Sequence, residues 1–153
     1  MQITILSVGK PLGMPLQATA SDYIKRLQPY VEIDLQYIPQ SNVSHGHDAV
    51  VRESKEILSR LQPNDTLILL DERGRQQNNI EFAETFQRLS GRQGKLVFVI
   101  GGAYGVDDKV FERAQFVWSL SKLVFPHQLM RVILLEQLYR TVMITKNHPY
   151  HHV

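Results

Sequence analysis

Two continuous apolar runs constrain the fold of this chain more than any other feature of its sequence. Residues 66–70 (TLILL) and 95–100 (KLVFVI) are apolar at nearly every position. A strand of this kind is buried on both faces, which is typical of parallel sheets covered by helices on both sides. Segments with helical spacing lie between the predicted strands. The sequence therefore predicts an α/β fold with a mainly parallel sheet flanked by helices.

The order of the predicted elements follows from periodicity and from the Gly and Pro residues that interrupt it. Strands are predicted at Gln2–Val8, Val31–Ile38, Thr66–Leu70 and Lys95–Ile100, with short extended pieces at Phe116–Leu120 and Lys122–Val124. Helices are predicted at Leu16–Leu27, Asp48–Leu61, from a capping box of Asn78 and Glu81 to Leu89, at Asp108–Ala114 and at His127–Lys146. The charged segment Asp71–Arg75 is predicted to be a flexible loop, at the place where open parallel sheets carry active-site loops.

Length and composition indicate one globular domain over residues 1–153, since 153 residues is near the common domain size. The absence of cysteine excludes disulfides, thiolate catalysis and cysteine-ligated zinc. No apolar run is long enough to span a bilayer, and the N-terminus resembles a strand rather than a signal peptide, so a cytoplasmic protein is expected. The net charge of +2 does not by itself predict nucleic-acid binding.

The last predicted helix is apolar around most of its circumference. Its apolar residues are Leu129, Met130, Val132, Ile133, Leu134, Leu135, Leu138, Tyr139, Val142, Met143 and Ile144. One sheet face covers only one stripe of a helix. The surplus favours a dimer interface over the alternative, a central helix within one domain.

The glycines that follow the second apolar run favour close approach of a ligand to the backbone. Gly101, Gly102 and Gly105 lack the spacing of a dinucleotide-binding loop, and no Gly-Lys-Ser/Thr follows them. Two interpretations remain open at this point. Either a base and ribose are held by backbone contacts without phosphate recognition, or the glycines only form a tight turn between strand and helix.

Basic residues in the second half form three groups. They are Arg73 with Arg75, then Arg88, Arg92 and Lys95, then Lys122, Arg131 and Arg140. The middle group is interpreted as solvated surface charge. Arg131 and Arg140 lie on the apolar helix, where an unpaired guanidinium is costly, so each is expected to face an anion, another partner or an acid such as Glu136.

The C-terminal residues 147–152 (NHPYHH) hold three of the six histidines. Metal binding is disfavoured because the spacing is cramped and no carboxylate is nearby. A disordered end or a residual tag is one alternative. The other is that Tyr150 and His151 stack on a base and exchange a proton with it.

These motifs together resemble one known family. They are ITILSVGK at 3–10, Val99-Ile100-Gly101-Gly102 with Gly105, Ser119-Leu120-Ser121 with Phe125-Pro126-His127, Arg131-Val132, Glu136-Gln137 with Tyr139-Arg140, and NHPYH at 147–151. Across essentially the whole chain, the sequence is similar to the bacterial ribosomal RNA large subunit methyltransferase H family, which belongs to the SPOUT class.

The resemblance implies a C-terminal trefoil knot that binds S-adenosylmethionine and a homodimer that completes the site. It also implies transfer of the methyl group to N3 of a pseudouridine in 23S rRNA on the assembled ribosome. The implied cofactor residues are Leu70, Gly101, Gly102, Ser121, Lys122, Leu123, Val124, Phe125 and Pro126. The chain departs from the family at His152, where Arg or Lys is frequent, so a phosphate contact there is expected to be weaker or pH-dependent.

The mechanistic hypothesis assigns the reaction to the C-terminal residues. His151 accepts the imide proton, Tyr150 positions the base, and Arg140 favours the anion. Arg73, Arg75, Arg131 and His127 are assigned to RNA. For His127, a structural role at the helix start and a role as a second candidate proton acceptor are the alternatives. No metal site is assigned. Two other functions remain: a knotted methyltransferase acting on tRNA, and a ribosome-binding module without enzymatic activity.

Overall fold

The fold is described here from a computed structural model that covers residues 1–43 and 45–151. The strands are β1 (Gln2–Val8), β2 (Glu32–Ile38), β3 (Thr66–Arg75), β4 (Leu96–Ile100) and β5 (Phe116–Trp118). The helices are α1 (Leu16–Leu27), α2 (Gly46–Ser59), α3 (Asn79–Ser90), α4 (Asp108–Arg113) and α5 (His127–Thr145). The prediction made for His152 lies outside the described residues.

The strands form one sheet of five parallel strands in the order β2-β1-β4-β3-β5. The two apolar runs are the neighbouring strands β3 and β4, and every residue of β4 is buried. The α/β prediction is therefore confirmed, and the sheet is parallel throughout. All carboxyl ends lie at one edge, where ligands bind in open sheets of this type.

Two separate apolar cores cover the faces of the sheet. On one face, Ile3 and Ile5 of β1 pack into a core with residues of α1, α3 and α5. On the other face, Leu6 and Val8 pack into a second core that includes residues of α2 and α4. This alternation explains why the inner strands are apolar at every position.

The prediction of a flexible loop at residues 71–75 is wrong. These residues continue β3 instead of forming a flexible loop, and the pairing with β5 shifts register between Leu70 and Arg75. At Gly74, an added Cβ would lie 2.6 Å from the carbonyl oxygen of Val117. The extension thus depends on close backbone packing that the charged sequence does not reveal. Lys122–Val124, predicted to be extended, is not in a strand.

Helix α5 packs between α1 and α3. Its residues Val132, Leu134, Leu135, Leu138, Val142 and Met143 are buried within the single chain. The surplus of apolar residues is therefore largely explained by the alternative, a central helix within one domain. The argument from this helix for a dimer is not supported at these positions.

Among the described residues, no helix is long and apolar enough to cross a membrane.

Candidate functional site

A cavity of about 810 Å³ lies at the carboxyl ends of β3 and β4. It is lined by residues 70–73, 100–106, Trp118, Leu120, Ser121, 123–127 and Met130. The glycine segment after β4 and the segment between β5 and α5, far apart in sequence, form facing parts of its wall. We call this feature the cofactor cavity, after the residues predicted to bind a cofactor that line it.

Eight of the nine predicted cofactor residues line this cavity. Lys122 is the exception, being exposed and absent from the lining. Sequence reasoning missed Asp71 and Glu72, which were assigned to a loop, and it also missed Trp118 and Met130. Their signal was weak, because an aromatic residue or a methionine beside an apolar strand is usually a core residue.

The glycine wall is shaped by close packing. Gly102 and Gly105 form an isolated bridge, and the Gly105 amide donates to the Gly102 carbonyl at 3.0 Å. Gly105 has φ of +76°, which side-chain-bearing residues rarely adopt. A Cβ on Gly102 would lie 2.6 Å from Oε2 of Glu53 and 3.1 Å from Cγ1 of Val8. A side chain at position 102 would therefore have to displace the Glu53 carboxyl group.

The opposite wall is a turn held by serine side chains. Ser119 Oγ donates to the Ser121 carbonyl, and the Leu123 amide donates to Ser121 Oγ, both at 3.0 Å. The next side chains project outward, with Leu123 70% and Val124 82% exposed. Tyr104, on the glycine wall, is 71% exposed. The mouth of the cofactor cavity therefore has an apolar rim.

The charged residues of the cavity come from the end of β3. Asp71 Oδ1 accepts from Arg73 Nε at 2.9 Å, and the Arg73 guanidinium lies 4.3 Å from the ring centroid of Phe111. Burial alone would raise the pKa of Asp71, but hydrogen bonds and charge attraction from Arg73 outweigh burial and lower this pKa. Arg73 stays largely exposed at the rim. Arg75 is also exposed but does not line the cavity.

Arg131 occupies a different environment from the one predicted. Its side chain is 1% exposed, and it donates to Ser7 Oγ at 2.5 Å, to the Lys10 carbonyl at 2.6 Å and to the Val8 carbonyl at 3.0 Å. The guanidinium also lies 4.8 Å from the ring centroid of Tyr37. Burial lowers its pKa. The prediction that Arg131 contacts RNA is not supported, because its donors are used to bind the end of β1 to α5.

His127 lies next to this arginine. It lines the cofactor cavity, and its ring approaches Gly9, whose φ is +115°. At Gly9, a Cβ would lie 3.2 Å from an Arg131 nitrogen and 3.7 Å from the His127 ring. The structural alternative for His127 at the start of α5 thus agrees with its packing, while its place in the lining leaves it accessible to a ligand.

Arg140, Tyr150 and His151 meet at the exposed side of α5 together with Glu136. We call these four residues the tail cluster. Glu136 accepts from Arg140 Nε at 3.0 Å and from the Tyr150 hydroxyl at 3.3 Å, and Arg140 Nη1 lies 3.5 Å from Nδ1 of His151. The Tyr150 ring packs edge-on against Tyr139, with ring centroids 4.7 Å apart. Glu136 is thus the acidic partner expected for Arg140.

The charge state of the tail cluster follows from these contacts. Burial, a hydrogen bond with Tyr23 and the negative charge of Glu136 raise the pKa of Tyr150 to about 12. The hydrogen bond with Glu136 raises the pKa of Arg140. The cluster therefore presents a neutral phenol and a fixed cation beside the imidazole ring of His151.

No residue of the tail cluster lines the cofactor cavity. The structure gathers the predicted cofactor residues in one place and the predicted catalytic residues in another. Within a single chain, these two groups are not brought together.

Among residues 1–43 and 45–151, no three His, Cys, Asp or Glu side chains lie close enough to hold a metal ion.

Comparison with known proteins assigns the family. A family model described as "Predicted SPOUT methyltransferase" matches residues 1–151. The chain is 38% identical over 152 residues to a Gloeobacter violaceus protein named ribosomal RNA large subunit methyltransferase H, with 99% of each chain covered. Proteins of the same name from Flavobacterium johnsoniae (99% of each chain covered) and Pelotomaculum thermopropionicum (98% of each) are 41% and 42% identical to it. The family model and these relatives cover nearly the full length of the chain, and the chain belongs to the SPOUT methyltransferase family.

Proposed function

We propose that this protein methylates ribosomal RNA of the large subunit. S-adenosylmethionine serves as the methyl donor. The acceptor is N3 of a pseudouridine in 23S rRNA, and the reaction takes place on the assembled ribosome in the cytoplasm. The observation that carries the proposal is the cofactor cavity, where Gly101 and Gly102 meet the segment 121–126 at the carboxyl edge of the sheet. Two segments that sequence reasoning had joined only by resemblance thus form one pocket.

The residues present fit this donor. S-adenosylmethionine has an adenine, a ribose and a positively charged sulfur, but no phosphate. The cavity offers backbone groups at two glycines, apolar side chains such as Leu70 and Ile100, and the carboxylates of Asp71 and Glu72. Arg73 is its only lining Lys or Arg among the described residues, and Asp71 pairs with it. These lining groups suit a cationic nucleoside better than a nucleotide.

The trefoil knot is part of the proposal, with residues 1–153 as one knotted domain. In support, the chain after β5 turns at Ser121, passes beside the glycine wall and continues into α5, which packs back between α1 and α3. Arg131 then binds this returning segment to the end of β1. Long-range contacts of this kind would hold a threaded segment in place.

A homodimer is also proposed, because one chain separates the cofactor cavity from the tail cluster. A second copy can place its tail cluster at the mouth of the first copy's cavity. The exposed apolar rim of Tyr104, Leu123 and Val124 would be covered in such an assembly. Arg73 and Arg75, both exposed, remain available to rRNA phosphates.

The proposed chemistry needs little from the protein beyond alignment and removal of one proton. The bound donor supplies a methyl group on a positively charged sulfur. The imide N3–H of the substrate binds beside Arg140 and His151, and a ring nitrogen of His151 accepts its proton. Arg140 then stabilises the negative charge left on the base. Tyr150, still protonated, donates to a polar atom of the base or packs against its ring.

The test uses radiolabelled S-adenosylmethionine and ribosomes from a strain that lacks the gene. We expect methyl incorporation into 23S rRNA of these ribosomes, and mass mapping is expected to place it on a pseudouridine. Purified tRNA serves as the competing substrate. Methylation of tRNA alone would reverse the substrate assignment, and absence of S-adenosylmethionine binding by calorimetry would support the non-enzymatic binding module.

A further inference from the structure

Glu53 is a buried carboxylate that no step of the proposed reaction uses. It lies on α2 and is only 5% exposed. A buried carboxylate is costly unless a counter-charge or several hydrogen bonds compensate it. The position of Glu53 therefore needs an explanation.

The contacts within the described part of the chain compensate this carboxylate only in part. Oε1 accepts from the Ser41 amide at 3.0 Å. No Lys, Arg or His of residues 1–43 and 45–151 forms an ion pair with it, although Asp22, Glu56, Asp71 and Glu136 each have such a partner. The carboxyl group thus lies in a buried position without a cation from the described part of the chain beside it.

The second oxygen of Glu53 packs against Gly102, a residue of the cavity wall. Oε2 lies 2.6 Å from the place where a Cβ on Gly102 would be, and the carboxyl carbon lies 3.3 Å from it. Gly102 lines the cavity. The carboxyl group therefore contacts a glycine that lines the space proposed for the donor, while Glu53 itself is not part of the lining.

We propose that Glu53 supplies the counter-charge for the sulfonium of the bound donor, acting across the Gly102 backbone. Glu53 then favours the cationic donor over the demethylated product, whose sulfur is neutral. The inference rests on the proposed use of S-adenosylmethionine. It assigns discrimination between donor and product to a residue outside the lining of the cavity.

The deciding variant is Glu53→Gln, which keeps an oxygen for the Ser41 amide and removes only the charge. Calorimetry measures the affinities of wild type and variant for S-adenosylmethionine and S-adenosylhomocysteine, with thermal melts to verify folding. We expect donor affinity to fall about tenfold, as for loss of one partly screened charge pair. Product affinity should change less than about twofold. Glu56→Gln, an exposed position three residues along the same helix, serves as the matched control and should change neither affinity.

Each outcome of these measurements supports or overturns the proposed role of Glu53. Equal losses for both ligands would overturn the inference and assign Glu53 to support of the glycine wall or to the amino group that both ligands share. Unchanged affinities would overturn it as well. If wild type binds neither ligand, the proposed cofactor is wrong, which is a separate failure.

If Glu53→Gln does not fold, the order of the wild-type affinities can still overturn the inference. Sinefungin carries an amine in place of the sulfonium, so wild type should bind it and S-adenosylmethionine more tightly than S-adenosylhomocysteine. The opposite order would overturn the inference.

Discussion

The cofactor cavity and the tail cluster are built in opposite ways. The cavity consists of backbone, glycine and apolar side chains at the edge of a rigid sheet, and its charges lie at the rim or behind the wall. The tail cluster is a set of charged and aromatic side chains joined by hydrogen bonds on the partly exposed side of one helix. The difference suggests that shape selects the ligand at the first region, whereas side-chain chemistry acts at the second.

The largest expected effect separates chemistry from binding. His151→Ala should reduce the single-turnover rate of ribosome methylation by about 10²- to 10⁴-fold, because it removes the proposed proton acceptor. The dissociation constant for S-adenosylmethionine should stay near wild type, since His151 does not line the cavity. His47→Ala, an exposed histidine on α2, is the control. A normal rate for His151→Ala would refute the assignment.

Two arginines of α5 provide the next contrast, this time in stability. Arg131→Met should lower the free energy of unfolding by about 3 kcal/mol or more, because it leaves the buried carbonyls of Val8 and Lys10 and the Ser7 hydroxyl without their donor. Arg140→Met should cost at most about 1 kcal/mol, since its pair with Glu136 is partly exposed. Urea denaturation measures both. Similar losses would show that the two arginines do not differ in role as their burial indicates.

Tyr150 tests the charge state of the tail cluster. Its raised pKa means that the phenol is favoured in the folded protein, so this contribution to stability is present below about pH 10 and is lost as the pH rises toward 12. Tyrosinate absorbance should show one late-titrating tyrosine that Tyr150→Phe removes. Ionisation of this residue well below pH 10 would contradict the described environment.

The smallest effect is expected at the rim of the cavity. Arg73→Gln should raise the KM for ribosomes by about threefold, because one exposed cation contributes modestly to RNA affinity and Asp71 already pairs with it. The KM for S-adenosylmethionine should be unchanged. Arg92→Gln, remote from the cavity, is the matched control. Equal changes in both variants would indicate a general charge effect.

Periodicity in the sequence sufficed for the elements and for the parallel sheet. The apolar runs at β3 and β4 required burial on both faces, and the capping box of Asn78 and Glu81 is present as predicted, with Glu81 N 2.9 Å from Asn78 Oδ1. The extension of β3 to Arg75 was missed, because it depends on pairing with β5 across a register shift. Local composition carries no information on such tertiary pairing.

The candidate site was predictable to a different degree in its two regions. Resemblance to the family identified Gly101, Gly102 and Ser121, and the structure brings them together. The roles of arginines were harder to predict, because a buried cation bound by carbonyls and an exposed cation paired with an acid look alike in sequence. Arg131 and Arg140 differ only in what the fold places opposite them.

The bond between Arg131 and the end of β1 also affects how the protein is made. It joins residues separated by 121 to 124 positions, so it can form only after nearly the whole chain has left the ribosomal tunnel. A nascent chain that stops before α5 lacks Arg131 and the lining residues His127 and Met130. An enzyme of ribosomal RNA built in this way becomes competent only after α5 has emerged from the ribosome that makes it.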